Sequence, residues 1–179
     1  MLREAAVGRF KFYSALSYVL WAKENGQSKS LIDVERDLAA VEITSQSIKE
    51  FLVKDRKIPL VRECVSRFPE DYAKMLTNFY SENGFEASTI QPDHPAAMLA
   101  FTASLIFKEV EDSKNVVKYW RVEHRFIKTY LMEALLCLRS RIPSTFTQAI
   151  VEAVSIDLSL LYEALKNVSS DSDDASMVH

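Results

Sequence analysis

The chain has 179 residues, 48% hydrophobic and 26% charged, and a formal net charge of −3 at pH 7. This length suits one domain with a substantial core, and the composition is that of an ordinary globular protein. The slight acidity argues against a general nucleic-acid binder, which would present a basic face. Arg3, Glu4, Arg9 and Lys11 interrupt the first apolar residues before a secretory leader could form. The longest uncharged apolar run, 96–107, is too short to cross a bilayer. A cytoplasmic protein without membrane insertion is therefore expected. Cys64 and Cys137 both fall in apolar helical patterns, which predicts two buried thiols rather than a disulfide, and their spacing suggests no metal site.

Leu2, Ala6, Phe10, Tyr13, Leu16 and Leu20 recur at helical spacing, so a first helix runs to about Lys23, where Asn25-Gly26 stops it. Ser30 with Asp33, and Ser47 with Glu50, read as capping boxes opening two short helices. Pro59 and Pro69 each sit near a predicted helix start. The helix after Pro69 carries Tyr72, Met75, Leu76, Phe79 and Tyr80 and ends at Asn83-Gly84. A loop follows, and then Asp93 is placed to cap an almost wholly apolar helix with Pro95 in its first turn. A long helix is predicted from about Lys114 to Arg139, stopped by Pro143. Thr145 with Gln148 caps a last one reaching about Lys166. No window alternates with period two, so the expected fold is all-α, a single-domain bundle of roughly eight to ten helices over 1–168. The polar, acidic stretch 169–179 is expected to be a disordered tail.

With only three glycines and five prolines in the chain, the loop from Tyr80 to Pro95 stands out because it holds Gly84, Pro92, Pro95 and one of the three histidines. A loop between rigid helices is a common place for function. The same residues also describe an ordinary helix start. Two acids interrupt apolar stripes: Glu123 between Trp120 and Ile127, and Asp157 between Ala153 and Leu161. A buried carboxylate needs a partner. Either these form structural ion pairs, or they line a cleft for a cationic, partly apolar ligand. Adjacency of Asp93 and His94 is no evidence for an acid–base dyad, and no HExxH, GxSxG, CxxC or glycine-rich phosphate loop is present. A binding protein with no catalytic residues, cofactor or metal is expected over an enzyme.

Tyr80-x-x-x-Gly84, then Pro92-Asp93-His94 opening an apolar helix, then Glu123-x-x-Phe126 with Tyr130-Leu131, resembles the TorD/DmsD/NarJ-type redox enzyme maturation proteins. The likeness covers most of 68–165. It departs at Ile90-Gln91, where the family usually has Glu-Pro, at Pro95, and at Tyr130, where a histidine is common. The resemblance implies an all-helical cytoplasmic chaperone for molybdenum-containing oxidoreductases. Its partner would be the twin-arginine signal peptide, or the folding precursor, of such an enzyme. On that reading Asp93 is an acidic contact, His94 orients the loop or reads the peptide backbone, and Tyr80, Gly84, Pro92, Phe126 and Tyr130 complete the peptide site. Glu123 and Asp157 are added here as candidate groove acids. A generic helical adaptor for a partner helix and a small-molecule or nucleotide binder are the alternatives, and a homo-oligomer is left open.

Overall fold

Breaker residues and caps divide the chain. The computed structural model describes residues 2–26, 32–65 and 68–176. Among them the helices are α1 (Leu2–Asn25), α2 (Ile32–Ala39), α3 (Ser45–Val53), α4 (Pro69–Glu82), α5 (Pro95–Glu111), α6 (116–141) and α7 (Thr145–Ser176). Within α6, Val116–Phe126 and Met132–Arg141 are joined by a π turn over Ile127–Leu131. The described residues contain no strand, so the fold is all-α, with seven helices rather than eight to ten. The segment after Pro59 forms only the three-residue 3₁₀ turn Val61–Glu63.

Gly26 at φ +62° and Gly84 at φ +69° follow the ends of α1 and α4, the left-handed geometry that a residue with Cβ resists. The caps differ in detail from the sequence reading. Thr44, not Ser47, caps α3 by accepting from the Ser47 amide at 3.2 Å. Ser144 accepts from the Thr147 amide at 3.1 Å at the start of α7, one residue ahead of the expected Thr145. Ser30 lies outside the described residues. With no glycine or proline after Pro143 to stop it, α7 continues past Lys166 to Ser176, into the stretch expected to be disordered. Residues 177–179 of that stretch lie outside the described residues.

α1 and α5 form the most extensive helix pair, held close by Ser17 donating to the Ala96 carbonyl at 2.8 Å. Leu16, Val19 and Leu20 of α1, Leu99 and Phe101 of α5, Phe126 and Leu135 of α6, and Phe146 and Ile150 of α7 are fully buried together. Lys23 ties α1 to the end of α3, donating to the carbonyls of Phe51 at 2.9 Å and Lys54 at 2.6 Å. These carbonyls lie at the C-terminal end of α3, where the helix dipole favours a positive charge.

The polar centre of the bundle is Arg9. Its Nη1 donates to Glu109 of α5 at 3.1 Å, its Nη2 to Glu123 of α6 at 2.7 Å, and its Nε to Asp157 of α7 at 2.7 Å. Tyr13 adds a hydroxyl to Asp157 at 2.8 Å, and the Trp120 indole N–H reaches Glu109 at 2.8 Å. Glu123 is wholly buried. Burial, with Glu109 beside it, holds the Glu123 carboxyl well above the usual carboxylate range. Burial alone would weaken the Arg9 charge, but the Glu123 and Asp157 carboxylates outweigh that and raise its pKa.

Two expectations follow from this cluster. Arg9→Met strands three acidic side chains around an apolar one and should destabilise the fold by about 3–5 kcal/mol in urea titration, and a loss below about 1 kcal/mol would show the cluster to be effectively solvated. The second concerns pH. Above the ordinary carboxylate value the unfolded chain has lost a proton that native Glu123 still holds, so stability falls as pH rises toward the raised native value. Glu123→Gln removes that dependence. Its melting temperature should gain on the wild type steadily from about pH 5 upward, starting near the unfolded carboxylate range, and parallel curves would contradict the assignment.

Candidate functional site

The loop from Tyr80 to Pro95 is held from both ends. Tyr80 is buried and donates its hydroxyl to the Pro92 carbonyl at 2.7 Å. At the Gly84 turn a Cβ would stand 3.2 Å from Lys108 Nζ, whose ammonium donates to the Asn83 carbonyl. Asp93 is fully buried. The Arg62 fork grips it in two places, Nε to Oδ2 at 2.7 Å and Nη2 to Oδ1 at 2.5 Å, and the Arg62 amide adds a third contact at 3.2 Å. The Val61 amide also donates to the Asp93 carbonyl at 3.0 Å.

Asp93 is therefore not the cap of α5. His94 is: its backbone is extended and its Nδ1 accepts from the Ala96 amide at 3.1 Å, with Pro95 at the first helical position. The correction has a plain cause, since the guanidinium and the 61–62 backbone draw the Asp93 carboxylate away from the helix start. An accepting Nδ1 puts the imidazole proton on Nε2. Nε2 is buried and has no hydrogen-bond partner among the described residues. His94 is only 8% exposed, and burial lowers its pKa, keeping the ring neutral near pH 7.

Beside this loop runs a groove of about 600 Å³ between α1 and α5. Phe10, Ser14, Ser17 and Trp21 face it from α1 at helical spacing, and Ala97, Ala100, Ser104 and Phe107 face it from α5. Small side chains make its floor. Phe10 and Phe107 meet at 5.6 Å between ring centroids, as Tyr18 and Trp21 do at 5.9 Å, so aromatic pairs stand along an alanine- and serine-lined trough. Residues 85–90 form its outer wall. The trough continues into a more polar recess that shares Trp21 and Ala87–Ile90 with it and adds Glu24, Pro92 and His94. Glu24 accepts from the Ile58 amide at 2.7 Å through one carboxylate oxygen.

The residues singled out in the sequence fall into three places. Tyr80, Pro92, Asp93 and His94 come together at the loop, with Gly84 at its first turn; of these, Pro92 and His94 line the recess. Phe126 belongs to the aromatic core, buried against Tyr80, Phe79 and Phe101, and Tyr130 packs on Phe79 and Phe126 from the π turn while staying half-buried at the surface, away from the groove. Glu123 and Asp157 turn to Arg9. They are structural ion pairs, not groove acids, because Arg9 sits on the buried face of α1, three residues after Ala6 and four before Tyr13.

Sequence reading passed over Arg9, Arg62, Glu24 and Trp21. A signal existed for two of them. Arg9 interrupts an apolar stripe as plainly as Glu123 does, and Ser14, Ser17 and Trp21 share one helical face with Phe10. The cysteines also depart from expectation: Cys64 and Cys137 form a disulfide with Cα atoms 5.9 Å apart. Cys64 closes the 3₁₀ turn, not an apolar helix, and packing of that turn on α6 brings together residues 73 apart in sequence. No protein-family model matches the chain.

The grip of Arg62 on Asp93 can be weighed by substitution. Asp93→Asn keeps an acceptor but loses the charge, and should cost about 1.5–3 kcal/mol in chemical denaturation, the scale of a charged hydrogen bond. A variant as stable as wild type would mean that the pair contributes nothing net.

Proposed function

We propose that this protein is a chaperone that binds an apolar polypeptide segment in the α1/α5 groove, without chemistry of its own. The single observation that carries the reading is the groove, a small-floored, aromatic-flanked trough that runs into a more polar recess lined by Glu24, Pro92 and His94. A mostly apolar cleft of this volume between two helices is the usual form of a binding site. A peptide laid there would bury apolar side chains over Ala97, Ala100 and Ser104. Glu24 at the recess supplies negative charge for a basic residue next to the apolar run.

The likeness to the redox enzyme maturation chaperones supports the same reading and makes it more specific. The client is then a twin-arginine signal peptide, or a folding intermediate, of a molybdenum-containing oxidoreductase, received in the cytoplasm before export or assembly. Among the described residues no helix is long and apolar enough to cross a membrane. The runner-up is an adaptor that seats a partner's helix in the same groove with no preference for arginine.

Calorimetry with a synthetic peptide, two arginines before an apolar stretch, tests this directly. Binding should be lost in Ala100→Phe, which fills the floor of the groove at a half-buried position. Arginine-to-lysine replacement in the peptide should weaken binding, since lysine has no planar fork. Equal affinity for both peptides favours the adaptor, and undiminished binding to Ala100→Phe would place the site elsewhere.

A further inference from the structure

The segment that masks Asp93 is itself tied down covalently. Arg62 stands two residues before Cys64 in the 3₁₀ turn, and Cys64 is bonded to Cys137 on α6. The two sulfur-bearing residues differ in access: Cys64 is exposed, whereas Cys137 is only 5% exposed. The turn is also held without the cross-link, by the Val61 amide donating to the Asp93 carbonyl at 3.0 Å and by Arg141 donating to the Glu63 carbonyl at 3.4 Å. The disulfide adds a covalent tie to the turn from which the Arg62 fork closes on Asp93.

We propose that Cys64–Cys137 is a thiol–disulfide exchange site that latches Arg62 over Asp93, and that a dithiol reductant unlatches it. Asp93, next in sequence to the recess residues Pro92 and His94, is then free to take an arginine of the bound segment. The inference rests on the groove reading for what is bound, and adds to it when Asp93 can take part. Arg62 already makes, from within the chain, the two-pronged contact that a client guanidinium would make. In the latched form the client must displace a competitor held in place. Once the cross-link is cut, the turn gains freedom and the competitor's effective concentration drops.

The exchange balances as an ordinary two-electron step. One thiolate of the dithiol attacks the exposed Cys64 Sγ, forming a mixed disulfide and expelling Cys137 as thiolate. The second thiol of the reductant then attacks its own sulfur in that mixed disulfide and releases Cys64. The reductant leaves as a disulfide, its two electrons have passed to the protein, and its two protons end on the two cysteine thiols. Access decides which sulfur is attacked, because Cys137 is covered.

Three measurements on the full chain test this. Treatment with glutathione followed by alkylation should leave the glutathione on Cys64 and the alkyl group on Cys137 in peptide mass spectra. The reverse pattern, or no reaction at millimolar thiol, overturns the assignment. Hydrogen exchange at the Arg62 and Cys64 amides should speed up by about tenfold or more after dithiothreitol, the size expected when a local opening loses a tether. Unchanged exchange overturns the latch, with or without any peptide. Finally, a peptide with two arginines before an apolar run should bind the reduced protein and Cys64→Ser about tenfold tighter than the oxidised protein, a usual size for coupling between two sites. A peptide with alanines in place of the arginines should bind all three forms alike. If it does, and the arginine peptide gains nothing on reduction, the latch is refuted while the groove reading stands. If neither peptide binds any form, the groove reading is refuted and amide exchange alone decides the latch.

Discussion

Arg9 carries a single positive charge to a point where carboxylates from three other helices converge, and the arrangement of the whole bundle depends on that meeting. Glu109, Glu123 and Asp157 come from α5, α6 and α7, so no two of the four helices can slide without breaking one of these contacts. Three acids around one base leave an excess of negative charge, which the raised pKa of Glu123 relieves by keeping a proton in the cluster. An apolar replacement could be as stable. What the ionic centre adds is register, since an apolar stripe tolerates a shift of one turn and a forked guanidinium does not.

Register matters because the groove lies on the next face of α1. Arg9 and Phe10 are neighbours in sequence and point to different sides of the helix, one to the carboxylates and one to the trough. Locking Arg9 thus also sets the rotation of Phe10, Ser14, Ser17 and Trp21 against α5. Ser17 and Ala96 bring the two helices close beneath the groove, and the aromatic pairs Phe10–Phe107 and Tyr18–Trp21 stand along it. Structural ionic chemistry and the candidate binding surface are two faces of one element.

The loop before α5 shows the same division of labour. Its two consecutive polar residues take different partners: Asp93 is held by Arg62 and the 61–62 backbone, while His94 caps α5 and lines the recess. An accepting Nδ1 leaves the proton of the neutral ring on the buried Nε2. The disulfide to α6 connects this loop, through Arg62, to a part of the chain far from the groove floor.

Much of this was legible locally. Glycine after a helix, proline at its first turn and apolar residues every three or four positions depend on short-range geometry, so the all-α class and most helix starts could be read directly. The acids at Glu123 and Asp157 were also visible as misfits within apolar stripes. Their partner was not, because a stripe shows which face is buried and says nothing of which helix buries it. The pairing with Arg9 spans 114 and 148 residues, and the Cys64–Cys137 bond spans 73. Asp93 failed as a cap for a related reason. Its local chemistry suited the role, but a guanidinium 31 residues away offered a stronger partner than a backbone amide. What the sequence determined by itself was which segments are helical and which residues are out of place on them. Only the tertiary structure decided which of those residues satisfy one another, since a buried charge takes whatever opposite charge the packing brings within reach.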